Sequence, residues 1–255
     1  MHFLSAVIIT YNEEKNIAGC IEALLKVADE VIVVDSFSSD NTVSICESLK
    51  AKVYLHKWEG FGIQKRFAIA QASYNNIIAL DADEILDEKA ISEILKLKEQ
   101  GFNAVYEIKL HHYYFGKFLN HGQEYPNYKT RIFNKEFVTW NENKVHESLI
   151  IPMNYPVIKL KGRIDHFSYH TIEQYIAKSN LYTNIAANEL YKKGKKNYLL
   201  KMIFSPSFTF LKSYFLKAGL LDGFHGFIIA ILNAYTNFLK YAKLRELKKH
   251  FHNNP

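Results

Sequence analysis

Four short, apolar, β-branched runs in the first hundred residues each lead through a polar or acidic turn into an amphipathic stretch. This alternation constrains the fold more than any other feature. The runs are Leu4–Thr10, Glu30–Asp35, Ala51–Leu55 and Asn76–Asp81, and helical spacing follows near Glu14–Val27, Asp40–Leu49, Gly62–Ala72 and Glu88–Glu99. Strands such as Val31-Ile32-Val33-Val34-Asp35 show no polar alternation, so both of their faces must be covered. A parallel sheet flanked by helices satisfies that requirement, and the expected class is α/β, Rossmann-like and mostly parallel. Asp40 stands where an N-cap belongs, its carboxylate able to accept an orphan backbone N–H.

Beyond Gly101 the pattern changes. Ala104–Leu110, Lys129–Asn134 and Val157–Lys161 read as strands, and Phe115–Tyr128 reads as a long irregular loop too aromatic to be disordered. From Thr171 the signal is helical: Tyr175–Lys193, a basic turn at 192–196, then Leu199–Lys217 and Gly223–Leu247. The expected organisation is one α/β domain over 1–170, in halves 1–100 and 101–170, and a helical, basic, amphipathic extension over 171–255. A hydrophobic content of 48% excludes a disordered chain. The two cysteines, Cys20 and Cys46, lack disulfide-framework or metal spacing and are expected as buried thiols in a reducing compartment. The segment MHFLSAVIITYNEE has no basic n-region and reads as a first strand rather than a signal peptide. Gly223–Leu239 lacks charged residues but contains His225, Asn233, Thr236 and Asn237, so it is expected at an interface rather than across a membrane.

In an open parallel sheet, ligands bind outside the carboxyl ends of the strands. Three such ends carry Thr10-Tyr11-Asn12-Glu13-Glu14, Asp35-Ser36-Phe37-Ser38-Ser39-Asp40 and Asp81-Ala82-Asp83-Glu84. Acids crowded at one edge repel unless a cation or donors are present. Oxygen ligation with open positions suits Mg2+ or Mn2+ bridging to a diphosphate. The plainer alternative is that Asp83-Glu84 caps the following helix. No GxxxxGK[ST] occurs, and Gly60-Phe61-Gly62 lacks the third glycine of a dinucleotide fingerprint, its place being held by Lys65.

These residues carry a resemblance. Ala6-Val7-Ile8-Ile9-Thr10-Tyr11-Asn12-Glu13, Val33-Val34-Asp35-Ser36, Gly60-Phe61-Gly62-Ile63-Gln64-Lys65-Arg66 and Asp81-Ala82-Asp83-Glu84 resemble the inverting family 2 glycosyltransferases of GT-A fold. The segments 125–133, Val145-His146-Glu147 and Asp165-His166-Phe167-Ser168-Tyr169 resemble its lipopolysaccharide-core β-1,4-glucosyltransferase branch. The resemblance implies that Thr10, Asn12 and Glu13 line a nucleoside pocket and that Asp35 bonds the uracil edge. It places Lys65 near the nucleotide, Asp81 at the ribose or the metal, and Asp83 on the metal. The family's DxSxDxT pattern has one extra residue here, in Asp35–Thr42. A downstream histidine completes the metal shell in some of these enzymes, and His166 is the candidate; its alternative is a hydrogen-bonded structural role.

Displacement at an anomeric carbon with inversion needs one base for the acceptor hydroxyl and charge to stabilise the leaving diphosphate. Glu147 is the expected base, with Glu142, Glu124 and Asp165 as rivals. His121, Tyr125, Tyr128 and Arg131 are expected to contact the acceptor from the aromatic loop, packing of that loop being the alternative. Six of the eleven histidines (His111, His112, His121, His146, His166 and His170) lie between 111 and 170, with no HExxH or Cys–His spacing for zinc.

From Ala186 onward 12 Lys and Arg face 3 Asp and Glu, interleaved with Phe, Tyr, Leu and Ile. That combination suits a helix at an anionic membrane surface rather than nucleic acid. The alternative is packing on the catalytic domain or pairing into a homodimer. The combined expectation is a metal-dependent transferase of a hexose, from UDP-glucose or a related donor, to a lipopolysaccharide or lipooligosaccharide core acceptor. It would act in the cytoplasm, peripheral on the inner face of the bacterial inner membrane. A nucleotidyltransferase would instead need a glycine-rich, basic loop after strand one, where this chain is acidic. A non-catalytic membrane-surface module is the third reading.

Overall fold

The computed structural model describes residues 2–140, 149–196 and 198–253. It divides into two compact units, Met1–His111 with Asn127–Phe167, and His112–Pro126 with Ser168–Pro255. The second unit thus takes a segment from the middle of the chain as well as the helical C-terminal part.

The first unit opens with β1 (Leu4–Thr10), α1 (Ile17–Leu25), β2 (Glu30–Asp35), α2 (Thr42–Ser48), β3 (Lys52–Leu55), α3 (Phe61–Ala70), β4 (Asn76–Asp81), β5 (Glu84–Leu86) and α4 (Glu88–Gln100). In chain order then follow β6 (Val105–Tyr114), β7 (Lys117–Phe118), β8 (Asn127–Asn134), β9 (Thr139–Trp140), β10 (Leu149–Ile150) and β11 (Val157–Tyr169), of which β7 and the last residues of β6 and β11 belong to the second unit. Among the described residues the main sheet runs β3-β2-β1-β4-β8-β6-β11-β5, with β7 on β6, while β9 and β10 form a separate pair. The pairs β3–β2, β2–β1 and β1–β4 are parallel. From β4–β8 onward the described pairs β6–β8 and β11–β5 are antiparallel, so the parallel character expected for the sheet belongs to its first half.

Alternate residues of the central strands feed two cores, as period-two side-chain direction requires. Leu4, Ala6 and Ile8 pack with Ile17, Ile21 and Leu24 of α1 and Ile91 and Ile94 of α4. Val7 and Ile9 pack on the opposite face with Ala68 and Phe133. The unbroken apolar runs are therefore explained by coverage on both faces. Helix α4 starts at an N-cap, Asp87, whose Oδ1 accepts from Ala90 N at 2.8 Å and from Arg163 N at 3.0 Å. The strand β11 runs eight residues past the expected end at Lys161 because Gly162 lets it lie directly on α4. A Cβ at Gly162 would sit 2.3 Å from the Ala90 nitrogen.

The second unit contains α5 (Ile172–Lys192), α6 (Tyr198–Leu211), a π-helical turn (Lys212–Leu216), a 3-10 turn (Gly219–Asp222) and α7 (Phe224–Asn253). Tyr114, Leu119, Tyr175 and Ile229 form one of its cores, and Ala187, Tyr241 and Leu244 another. Among the described residues no helix is long and apolar enough to cross a membrane.

Candidate active site

The site is built at the carboxyl ends of β1, β2 and β4. In the sheet register Thr10 lies beside Asp35, and Ile9 lies beside Asp81, so the three motif-bearing ends meet at one edge. The turns after β1 and β2 are tied together. Asn12, in the left-handed region at φ 54°, donates its N–H to Ser38 Oγ at 2.8 Å and accepts from Ser39 N at 2.8 Å. Glu13 N donates to Thr42 Oγ1 at 2.8 Å, and the Glu13 carboxylate accepts from Asn16 Nδ2 at 2.8 Å. Both carboxylate oxygens of the fully buried Asp35 accept from Ser38. The longer turn of the Asp35–Thr42 segment holds Phe37 at φ 64°. Helix α2 starts after Asn41, whose side chain makes no capping bond; Asp40, one residue earlier than the N-cap, accepts the first-turn Thr42 N–H at 3.0 Å, and Glu14 N at 3.2 Å. The Thr10 hydroxyl is buried with no hydrogen-bond partner among the described residues.

Beside this edge lies a charge cluster. Lys65, on α3, points its Nζ at Asp81 Oδ1 across 3.2 Å. Its neighbour Gln64 is fully buried and donates to Ser36 Oγ at 2.9 Å while its Oε1 lies 2.7 Å from His56 Nδ1. Those contacts fix α3 against the end of β2 and so aim Lys65. Arg131 does not sit in an exposed loop. It lies on β8, and its buried guanidinium donates to Glu84 and lies 3.3 Å from Asp81 Oδ2. Burial by itself would raise the Asp81 carboxyl; Lys65 and Arg131 outweigh it and hold the group well below the usual carboxylate range. Glu84, fully buried, is pushed up by burial against the pull of Arg131, with Asp81 and Asp83 adding to the rise.

Antiparallel pairing of β5 with β11 places His166 opposite Glu84 and brings its Nε2 to 3.2 Å from Asp83 Oδ2. Asp83 is also held by its own carbonyl, which accepts from Phe167 N at 2.8 Å. Three carboxylates (Asp81, Asp83, Glu84) thus face two permanent cations, Lys65 and Arg131. The excess negative charge falls at Asp83, whose Oδ2 lies against the His166 imidazole. An oxygen and a nitrogen donor side by side at a net-negative strand end fit a divalent cation of the Mg2+ or Mn2+ type, with its remaining positions left to a ligand. Among the described residues no group of three or more His, Cys, Asp or Glu is arranged to hold a metal, so the pair would have to be completed by water or phosphate oxygens.

The other expected residues are dispersed. Glu147, Glu142 and His146 lie outside the described residues. Asp165 accepts from Arg163 Nε at 2.9 Å and lies 3.1 Å from His111 Nδ1. Tyr128 stands on β8 with Lys159 Nζ 4.5 Å above its ring. In the second unit, which also holds Tyr125 and Glu124, His121 Nδ1 lies 3.3 Å from the buried Asp222, and that carboxylate also accepts from Asn120 N and His121 N at 3.2 and 2.8 Å. His112 bonds Ser168, and His170 packs on Tyr113. The histidines crowded in sequence are therefore spread over separate contacts. Sequence reading missed Glu84 as the partner of Arg131 and Asp222 as the anchor of His121. The signal that would have turned the Arg131 side chain inward is Phe133, two residues on, which shares its face of β8 and is fully buried.

The sequence profile of Glycosyl transferase family 2 matches residues 5–152. The chain belongs to that family. It is 35% identical to an uncharacterized glycosyltransferase of Rickettsia typhi over 97% of this chain and 88% of the relative. It is 30% identical to the lipopolysaccharide core biosynthesis glycosyltransferase LpsC of Rhizobium meliloti, over 94% of this chain and 91% of that protein. Among solved structures it aligns with S. aureus TarS at 18% identity and a TM-score of 0.47, covering 73% of this chain and 40% of that one. The family's α/β, GT-A architecture is the one described above, with the motifs of its amino-terminal half at the carboxyl ends of β1, β2 and β4.

Proposed function

We propose that this family 2 glycosyltransferase is metal-dependent and inverting, and moves a hexose, glucose in the first instance, from a UDP-sugar to a core sugar of lipopolysaccharide or lipooligosaccharide. The observation that carries the reading is the convergence of Thr10, Asp35, Asp81 and Asp83 at one sheet edge, with Lys65, Arg131 and His166 against the carboxylates. Similarity to LpsC, named for lipopolysaccharide core biosynthesis, supports the acceptor class.

In this proposal the turn residues Thr10, Asn12 and Glu13 line the nucleoside pocket, and Asp35, an acceptor-only group, takes the uracil N–H. Ser38 holds the Asp35 carboxylate rigid, so orientation precedes binding. Lys65, aimed by Gln64, supplies a fixed positive charge near the phosphates while neutralising Asp81. Asp83 and His166 would hold the divalent cation, whose charge would stabilise the leaving diphosphate. Inversion requires a single displacement: the acceptor oxygen forms the new bond to the anomeric carbon as the bond to phosphate breaks. The hydroxyl proton passes to one base, for which Glu147 is proposed. His121, Tyr125 and Tyr128 are the proposed acceptor contacts, and Arg131 acts from within the carboxylate cluster. A glycolipid acceptor would bring the protein to the inner face of the bacterial inner membrane.

The test is transfer from a panel of UDP-sugars to truncated core oligosaccharides, with the new linkage read by the anomeric proton coupling. A β-linked glucose, lost in Glu147→Gln, is the expected product. An α-linked product, or equal activity of Glu147→Gln, overturns the stereochemistry or the base.

A further inference from the structure

Helices α6 and α7 run antiparallel, as three contacts along their length record. The Lys248 ammonium covers the Tyr198 ring at 4.8 Å, Asn237 donates to Thr209 at 2.6 Å, and the Phe210 and Phe227 rings meet at 5.9 Å. Helix α7 is also packed on α5, where Tyr175 donates to Asn233 at 3.0 Å, Thr236 lies 3.3 Å from Ser179, and Ile229, Tyr241 and Leu244 are buried. Many other large apolar side chains of α6 and α7 are left exposed. On α6 and its continuing turn Leu200, Phe204, Phe208, Leu211 and Phe215 recur at three- and four-residue spacing, each at least half exposed. On α7 Ile231, Tyr235 and Phe238 repeat the pattern, and Leu216, Leu221 and Phe224 (74%, 63% and 73% exposed) extend it over the connecting turns. An open groove of about 640 Å³ lies between the stripes, lined by Met202, Ile203, Phe210, Leu211, Tyr235 and Phe238 among others. A contiguous exposed apolar face of this kind marks a docking surface.

Charge selects the occupant. From Ala186 to the end the 12 Lys and Arg have only Glu189, Asp222 and Glu246 against them, and Asp222 is buried under His121. The exposed Lys201, Lys212 and Lys217 flank the apolar stripes. A second copy of this face would set like charge against like charge, whereas acidic phospholipid headgroups complement it. The helix α6 has 14 residues, a length of about 21 Å, short of the roughly 30 Å hydrocarbon core of a bilayer. The 30-residue α7 is long enough but not apolar enough to cross, so the face is suited to lie in the interface.

We propose that the outward stripes of α6 and α7 seat in the headgroup–acyl boundary of an anionic bilayer, with Phe204, Phe208, Leu216 and Phe224 in the apolar layer and Lys201, Lys212 and Lys217 among the phosphates. This deepens the glycolipid reading above, on which it rests for the class of membrane. It identifies the attachment as a built surface of the second unit and not a general basic character.

The test is sedimentation of the full chain with vesicles, without nucleotide. Phosphatidylethanolamine vesicles carrying phosphatidylglycerol should bind it at least tenfold more tightly than phosphatidylcholine vesicles. Phe204→Ser/Phe208→Ser and Leu216→Ser/Phe224→Ser should each weaken binding at least tenfold, and Lys201→Glu/Lys212→Glu should remove the preference for anionic lipid. These positions are exposed, so far-UV circular dichroism should be unchanged, and UDP titration of the same samples reports the nucleotide site separately. Failure to bind anionic vesicles, or binding by both serine pairs as tight as that of the unaltered chain, overturns the proposal. So does a dimer in lipid-free solution that the serine pairs convert to monomer with no vesicle binding, which would assign the face to a second copy.

Discussion

Replacing Arg131 by Met tests the charge cluster from its most buried member. The Arg131 side chain is 6% exposed and that of Glu84 is 0%. Removing the guanidinium leaves Glu84 without its direct counter-charge and deprives Asp81 of the partner at 3.3 Å. Breaking one side of a buried pair costs about 3–5 kcal/mol, because a buried charge is left uncompensated. Restoring neutrality with Glu84→Gln in the same chain should recover about 1–3 kcal/mol of that loss, the size of coupling expected for side chains in direct contact. The assay is urea unfolding followed by tryptophan fluorescence, since Trp58 and Trp140 both belong to the first unit. With a slope of about 2–3 kcal/mol/M, the single variant should shift the midpoint down by roughly 1–2 M at unchanged slope. A double variant as unstable as the sum of the two singles would refute the pairing as the source of the loss.

Other parts of the account predict equally specific outcomes. Glu30 accepts from Ser5, Ser73 and Lys52; burial opposes the charge, but these bonds outweigh it and hold the carboxyl at about 2 against an ordinary 4.5. The stability this confers, about 1–2 kcal/mol once screening by solvent is allowed for, is full above pH 4.5 and should be lost as pH falls toward 2, with a flatter profile in Glu30→Gln; parallel profiles would contradict it. Gly162→Ala drives a Cβ to 2.3 Å from the Ala90 nitrogen and should lower the thermal midpoint clearly, whereas Gly194→Ala, with open space around it but φ at 62°, should cost only the backbone strain. Asp87→Ala removes both the α4 cap and the bond to Arg163 N, and should cost about 1–2 kcal/mol in the same unfolding assay.

Much of the first half of the fold was legible in the sequence, for a physical reason. The strands β1, β2 and β4 end where the apolar runs end, because burial on both faces keeps their interiors apolar except for Ser5, whose hydroxyl donates to Glu30. Helix ends were less legible: α1 begins at Ile17 and not Glu14, since Glu13 and Glu14 are committed to the turn that joins Ser38, Asp40 and Asn41. The strand β11 continues past Lys161 because the fold uses Gly162 for close approach to α4, a contact that no local pattern encodes. The strand-end motifs located Asp81 and Asp83, but the pairing of Glu84 with Arg131 joins residues 47 positions apart and depends on β4–β8 packing that no local pattern encodes. His166 was singled out by resemblance, and its place beside Asp83 follows from the β5–β11 register.

The central claim is that Asp83 and His166 complete a divalent-cation site for a nucleoside diphosphate at this sheet edge. Calorimetric titration of UDP into the protein, with and without Mn2+, tests it most directly when repeated on Asp83→Ala. Micromolar binding that requires the cation and disappears in the variant is the predicted result. Absence of UDP binding in either condition, or cation-independent binding unchanged by Asp83→Ala, would contradict it.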